Sequence, residues 1–461
     1  MRRLLSSSIG FYLLMFAGIT LSAEAQTTAP NQWTWVGGNE TIGNYCYQTY
    51  FCGHAGVYGT LGTQASGNMP GSRNSAVSWT DSAGHLWMFG GEGLDSAGTY
   101  DFLNDLWEFD PSKSAWTWMG GASAVPSCGL QYCAEPGVYG TLGSPSPANI
   151  PGNRINASGW TDGSGNFWLF GGTGLVANSS SIYLNDLWKF DPMSGQWAWM
   201  SGSSTAPPAG SGGLPGVYGT LGVPATANYP GSRSYSTSWT DASGHLWLFG
   251  GAGYDSVGTF GSLNDLWEFL PATSQWVWMS GNSTIPCNAA QVCGQPGVYG
   301  TLGTPSPANL PGGRDAALGW TDASGNLWLF GGQGLTFGNL NDLWKFDQTS
   351  TEWTWMGGSN TEGVAGVYGT LGTPTAANVP GSREQAVSWT DSNGNFWLFG
   401  GGGNDASDAS GYLNDLWMYS PSLGQWTWVS GGNAVGQLGV YGTLGAPVAA
   451  NVPGSRRLSV S

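Results

Sequence analysis

The chain has 461 residues, with 78 Gly, 27 Trp and only 9% charged residues, so it is neither a charge-rich disordered tail nor a set of heptad helices. Its glycines keep no three-residue period, which excludes collagen, and acids outnumber bases 28 to 12, which excludes a general nucleic-acid binder. Beyond the first 25 residues no apolar run approaches the roughly 20 needed to cross a bilayer, so no transmembrane segment is expected in the mature chain.

Residues 1–25 read as a signal peptide. Arg2 and Arg3 supply the positive start, Leu4 to Leu21 the apolar stretch, and Ala23-Glu24-Ala25 the small-x-small cleavage pattern, which leaves residues 26–461. No Cys follows the cut, so a lipid anchor is not indicated. Sec-type export to the periplasm, cell surface or medium is expected.

The remainder is a tandem repeat. Pro-Gly-x-Arg occurs six times, ending at Arg73, Arg154, Arg233, Arg314, Arg383 and Arg456, so the copies start near 70, 151, 230, 311, 380 and 453. Five copies continue on one plan. Trp-Thr-Asp comes first, then a turn and an aromatic run ending in Gly-Gly, then Asn-Asp-Leu-Trp, then Trp-x-Trp. Arg to the first Gly of Gly-Gly is 17 residues in all five, and the Asp to the first Trp of Trp-x-Trp is 11. Gly-Gly to Asn is 13 residues except in the fourth copy, where it is 9, and the segment after Trp-x-Trp also varies.

Each copy reads as four short strands, a to d, rich in Trp, Phe, Val and Thr and separated by Gly, Pro, Asp and Ser. Four-stranded antiparallel sheets in tandem are propeller blades, with Trp filling the space between them. Antiparallel order puts the constant a–b and c–d turns on one side and the variable b–c and d–a segments on the other. Recognition is expected on the variable side.

The d–a segment carries its own motif, Gly-Val-Tyr-Gly-Thr-Leu-Gly. Its tyrosines, Tyr58, Tyr139, Tyr218, Tyr299, Tyr368 and Tyr441, precede the Arg by 15 residues every time, which predicts a docked element. The ends do not match. Trp33-Thr34-Trp35 is an orphan strand d and Pro453 to Ser461 an orphan strand a. This pattern is expected of a truncated propeller of at least six blades; a five-blade disc with trailing ends is the alternative.

The order Arg, Gly-Gly, Asn-Asp-Leu-Trp and spaced Trp resembles the kelch motif, which is found also in the galactose oxidase propeller. The resemblance covers about residues 31 to 461 and implies an all-β, kelch-like β-propeller with five complete repeats and a sixth split between the termini. The copies are longer than kelch repeats, which run near 50 residues. These run 69 to 81.

Six cysteines fall in three close couples, Cys46/Cys52, Cys128/Cys133 and Cys287/Cys293, each in the same segment of a different repeat. Local disulfides are the expected pairing among the 15 that six cysteines allow. The repeat arginines Arg73, Arg154, Arg233, Arg314, Arg383 and Arg456 are candidate ligand-binding groups, a positive collar at the channel mouth; the alternative is pairing with a repeat Asp such as Asp105 or Asp186. The repeat tyrosines are candidate surface aromatics, or pins for the insertion. Glu92, Asp95, Asp101, Asp405 and Asp408 are off-pattern acids that lack a calcium-loop pattern. Asp315 and Glu384 follow repeat arginines and are expected to pair locally.

No catalytic set or metal site is expected. A copper radical oxidase needs two His, two Tyr and a Tyr cross-linked to Cys. His54, His85 and His245 are the only histidines, and the last two hold turn positions that are Asn in other copies. The expected function is a non-catalytic module for a protein or glycan on the b–c/d–a face, with no cofactor implied. The alternative is a sugar-acting enzyme, mutarotase-like on acidic sugars.

Overall fold

The computed structural model describes residues 32–459, except 42, 44, 48–50, 127–132, 134, 177–179 and 209. The signal-peptide assignment to residues 1–25 lies outside them. The described residues form no helix; they form short antiparallel sheets.

The first blade shows the plan. Strand a is broken into Arg73–Asn74 and Val77–Thr80, followed by b (Leu86–Leu94), c (Tyr100–Asp110) and d (Ala115–Gly120), each hydrogen-bonded to the next. The fourth blade repeats it with Leu318–Thr321, Leu327–Gln333, Asn339–Asp347 and Glu352–Gly357. Among the described residues this four-strand plan occurs five times in succession.

Strand b explains its own composition. In Phe167-Trp168-Leu169-Phe170 successive side chains point to opposite faces. Phe167 and Leu169 enter the cluster shared with the first blade, while Trp168 and Phe170 enter the one shared with the third. Both faces are buried, so the run is apolar without alternation. Across each interface the strand-a Trp donates its Nε1–H to a strand-b carbonyl of the next blade. Trp160 reaches Trp247 O at 2.9 Å and Trp239 reaches Trp328 O at 3.0 Å.

Gly-Gly is required at the middle of strand b. Register shifts between Phe89 and Gly91, and both glycines are left-handed, at φ 66° and 92°. A Cβ on Gly91 would sit 2.6 Å from Asn74 O, and one on Gly90 2.9 Å from Arg154 O. The bulge lets the Gly90 carbonyl accept from Arg73 at 3.0 Å.

The constant spacings converge on one buried cluster. In the third blade Arg233 donates Nε–H to Gly231 O, and its fork grips both carboxylate oxygens of Asp265 at 2.7 Å. The same carboxylate accepts Trp267 Nε1–H at 2.7 Å and the Tyr218 hydroxyl at 2.6 Å. The cluster recurs as Arg73/Asp105/Tyr58, Arg154/Asp186/Tyr139, Arg314/Asp342/Tyr299 and Arg383/Asp415/Tyr368. Burial opposes the charge on these arginines, the facing carboxylate more than offsets it, and the guanidiniums end above their ordinary range. Burial also disfavours the Asp186 carboxylate, but Arg154 outweighs it and holds Asp186 below its ordinary range.

The tyrosine bond anchors the d–a insertion, which lies along strand d of the blade that follows it. Gly62 N–H donates to Trp118 O at 2.8 Å and Asn68 Nδ2 to Trp116 O at 3.2 Å. The insertion thus covers the outer edge of its blade, a strand edge that would otherwise offer unpaired backbone groups. The sixth insertion does the same for the N-terminal segment: Gly445 N–H donates to Trp35 O at 2.8 Å and Asn451 Nδ2 to Trp33 O at 3.0 Å. Trp33 in turn packs on Phe399 of the fifth blade, ring centroids 5.0 Å apart.

Around the axis, the second residue after each repeat Arg closes a backbone ring. Asn156 N–H donates to Ser75 O, Tyr235 to Asn156, Ala316 to Tyr235, Gln385 to Ala316, Leu458 to Gln385 and Ser75 to Leu458, at 2.8–3.3 Å. All six are non-Gly residues with φ between 54° and 59°. Residues 33–35 therefore take a strand-d position and residues 454–459 a strand-a position beside five complete blades.

Removing the Asp leaves a buried guanidinium without a counter-charge. Asp265→Asn is expected to cost about 3–5 kcal/mol, and Tyr218→Phe, which removes one bond to the same carboxylate, about 1–3 kcal/mol. Urea denaturation of the two variants checks this; equal losses would contradict the cluster's hierarchy.

Candidate functional site

The repeat arginines do not form a free collar. Arg154, Arg233, Arg314 and Arg383 are 0–2% exposed, and with Arg73 their forks are occupied inside the blades. Arg456 is exposed, and its Nε–H donates to Gly454 O at 3.0 Å. Tyr58, Tyr218 and Tyr368 are buried, and Tyr139, Tyr299 and Tyr441 half-buried, so none presents an open aromatic face. Trp118 meets the Tyr58 ring edge-on at 5.4 Å, and Trp35 meets Tyr441 at 5.6 Å.

The position one residue after each Arg behaves differently. Strand alternation turns it away from the blade cluster, and its identity changes every time: Asn74, Ile155, Ser234, Asp315, Glu384 and Arg457. It precedes the ring residue on the same strand. A cavity of about 160 Å³ is bounded by the ring residues Asn156, Tyr235, Ala316, Gln385 and Leu458 and by residues that follow them toward the a–b turn, and its lining includes none of these six positions.

Charge gathers at three of these positions, Asp315, Glu384 and Arg457. Glu384 is 8% exposed and meets Arg457 NH1 at 3.3 Å. Burial raises its carboxyl above the ordinary range, with Arg457 opposing. Arg457 lies over the Tyr412 ring, 5.0 Å from its centroid. Asp315 makes no side-chain hydrogen bond among the described residues. Burial, and then the negative charge of Glu384, push its carboxyl up to about 7. Tyr235 is pushed up to about 12 by burial and by Asp315 and Glu384. Tyr183 is raised by burial, then by Tyr254 and Asp315.

The local pairing expected of Asp315 and Glu384 with the preceding arginines is therefore not found. Arg314 and Arg383 turn into the blade toward Asp342 and Asp415, while the next residue on the same strand points the other way. Sequence reading named the two acids but not the set they belong to. Arg457 and Tyr235 lacked any signal except that they sit at non-repeating positions beside invariant ones.

A second feature lies on the same face. A cleft of about 320 Å³ is lined by Asn153, Ile182, Tyr183, Ser203, Thr205 and Pro207. Tyr183, Tyr254 and Phe260 form an aromatic trio with centroids 4.9–6.1 Å apart, and Phe260 is 41% exposed. These residues come from b–c loops, which the d–a segments brace. Asp95 Oδ2 accepts Val125 N–H at 2.8 Å, and Asp255 and Asp405 do the same for Ile285 and Val435. Asp95 and Asp405, weighed as calcium ligands, are thus loop ties recurring in three repeats.

Cys287 and Cys293 form a disulfide. Ser262 N–H, at the loop end of a strand c, donates to Cys293 O at 3.0 Å. Cys52 and Cys133 are also disulfide-bonded, and Cys46 faces Cys52 in register across a short hairpin. Cys128 lies outside the described residues. Asp101, whose Oδ2 accepts Cys133 N–H at 2.8 Å, is pushed up to about 6 by burial. Two groups of side chains could hold a metal ion among the described residues, Asp81/His85/Glu108 and Asp241/His245/Glu268, and both lie on the opposite, turn side.

Fold and site together define an all-β propeller protein with repeat-invariant blades and a non-repeating, polar set of side chains beside its inner ring. No protein-family model matches the chain, and no curated protein matches it.

The Asp315 carboxyl keeps its proton to a higher pH in the folded chain than in the unfolded one. The folded state therefore binds more protons between about 4 and about 7, and stability falls as pH rises through that window. Asp315→Asn mimics the protonated form. Its melting temperature relative to the parent is expected to climb from pH 4 to pH 8, and a constant offset would contradict the assignment.

Proposed function

We propose that the protein is an exported, kelch-like propeller that binds a glycan through its b–c/d–a face, without catalysis. The order of Arg, Gly-Gly, Asn-Asp-Leu-Trp and spaced Trp supports the kelch reading. A signal-like leader and a disulfide on the loop side support export, since disulfides persist in oxidising compartments.

One observation carries the binding assignment: side chains that break the repeat collect beside the ring of inner segments and at the loop-side cleft. Invariant positions serve the blade, so departures from invariance mark what the blade does not need. Asp315, Glu384, Asn156 and Tyr235 offer acceptors and donors to sugar hydroxyls. Tyr183 and Phe260 offer flat apolar faces to a pyranose ring. This mixture of convergent polar groups and aromatic walls is the usual make-up of a small-ligand site. Asp315 and Glu384 outnumber Arg457 in this set, which favours a neutral glycan over an acidic one.

The second reading is a sugar-acting enzyme, and Asp315 supports it. A carboxyl titrating near neutrality can both give and take a proton, as opening and closing a sugar ring requires. The two readings separate experimentally. Glycan-array screening followed by calorimetry is expected to find a neutral glycan. Tyr183→Ala with Arg457→Ala is expected to weaken it at least tenfold, about 1.4 kcal/mol, without altering the sugar. Anomer exchange followed by NMR that the protein accelerates and Asp315→Asn abolishes would establish the enzyme instead.

A further inference from the structure

The side opposite the loop face carries two copies of one arrangement. At the a–b turn of the first blade, His85 Nδ1 lies 2.8 Å from Glu108 Oε1 and 3.2 Å from Asp81 Oδ2. In the third blade, His245 Nδ1 lies 2.6 Å from Glu268 Oε1 and 3.6 Å from Asp241 Oδ2. Within each group the ligand-capable atoms all fall within 4.8 Å of one another; Asp81, His85, Glu108, His245 and Glu268 are partly open to solvent, and Asp241 is buried.

The repeat supplies an internal comparison. The second and fourth blades hold Asp162/Asn166/Lys189 and Asp322/Asn326/Lys345 at the same positions, and the fifth holds Asp391/Asn395/Met418. There the Asn closes the turn by donating Nδ2–H to the Asp carboxylate, at 2.8–3.3 Å. Lys189 lies over the Trp168 ring at 5.9 Å. The turn itself therefore needs neither His nor Glu. Yet His occurs only opposite Glu, and Glu only opposite His, in all five blades.

The Asp is already oriented. Asp81 Oδ1 accepts the N–H groups of Ala83 and His85 at 2.8 and 2.9 Å, and Oδ2 accepts Trp87 Nε1–H at 3.0 Å. Asp241 is held the same way by Ser243, His245 and Trp247. Outer partners of this kind fix a ligating carboxylate in place.

We propose that each triad is a divalent transition-metal site, with Zn²⁺ the fitting ion. One imidazole nitrogen and two carboxylate oxygens are ligands that Zn²⁺ takes at about 2.0–2.2 Å. Two such ligands at a tetrahedral angle stand roughly 3.4 Å apart. His–Asp separations of 3.2 and 3.6 Å already match. The Glu side chain, on the neighbouring strand c, swings outward by under about 1 Å to match. With the imidazole proton on Nε2, the Nδ1 lone pair faces the ion, and water completes the coordination from the open side. Blades one and three, with the second blade between them, thus present two equivalent ions on the turn side, separate from the glycan face.

The test uses residues the fold already accepts at these positions. His85→Asn with Glu108→Lys, and His245→Asn with Glu268→Lys, install the second and fourth blades' own side chains. With tag-free full-length protein and ZnCl₂, calorimetry is expected to give two ions per chain for the parent, one for either double variant and none for the combined variant. Melting temperatures without metal are expected to be alike, which reads folding separately. Cu²⁺ bound by the parent is expected to show a single-nitrogen coupling in its electron-resonance spectrum at each site. No Zn²⁺ uptake by the parent, or a stoichiometry unchanged in the combined variant, would overturn the proposal. A melting temperature that follows His protonation while Zn²⁺ fails to bind would overturn it too, leaving the triads as plain ion pairs.

Discussion

A single buried carboxylate per blade sets the geometry that everything else inherits. Asp265 satisfies the Arg233 fork, the Trp267 indole and the Tyr218 hydroxyl at once. Those groups come from strand a, strand c and the d–a insertion, while the Gly250 bulge of strand b contributes a carbonyl to the same Arg at 3.0 Å. A buried ion pair adds little net stability over apolar packing, because desolvation consumes most of the attraction. Its role here is register: no element can slide without stranding a charge in the interior. Tryptophan packing between blades supplies the burial, and the cluster dictates which arrangement of that packing is allowed.

With the blades held in this way, variation is tolerated only where the cluster does not reach. Strand alternation turns the residue after each Arg away from the cluster, beside the ring of inner segments. The b–c loops are likewise free in sequence, yet their ends are tied by Asp95, Asp255 and Asp405. The result is a set of unlike side chains on a stiff frame. Asp315, Glu384, Tyr235 and Arg457 meet there from four different repeats. The ring of backbone bonds around the axis fixes their spacing.

Much of the fold was legible because repetition exposes necessity. The constant intervals from Tyr to Arg, Arg to Gly-Gly and Asp to Trp are the chain lengths needed to bring each group back to one carboxylate. The docked insertion was readable for the same reason. The site was less legible. Asp315 and Glu384 stood out as acids beside arginines, but pairing with those arginines was the wrong geometry, since neighbours on a strand diverge. Of the two roles weighed for Arg73, Arg154, Arg233, Arg314 and Arg383, pairing with a repeat Asp is the one found, since an invariant charge in a packed blade needs an internal partner. His85 and His245 were read as turn residues, which they are; the opposed Glu108 and Glu268 sit 23 residues away, beyond the reach of a turn-based reading.

By itself the sequence determined the all-β class, the strand order within each blade, the side on which variable segments fall and the local grouping of cysteines. These follow from periodicity, turn chemistry and interval counting, all properties of nearby residues. Tertiary structure alone decided which side chains share a charge environment, that the inner segments close a ring through Leu458 and Ser75, and that most repeat arginines are hidden. Those outcomes depend on contacts between different repeats and on which way a side chain points once its strand is paired.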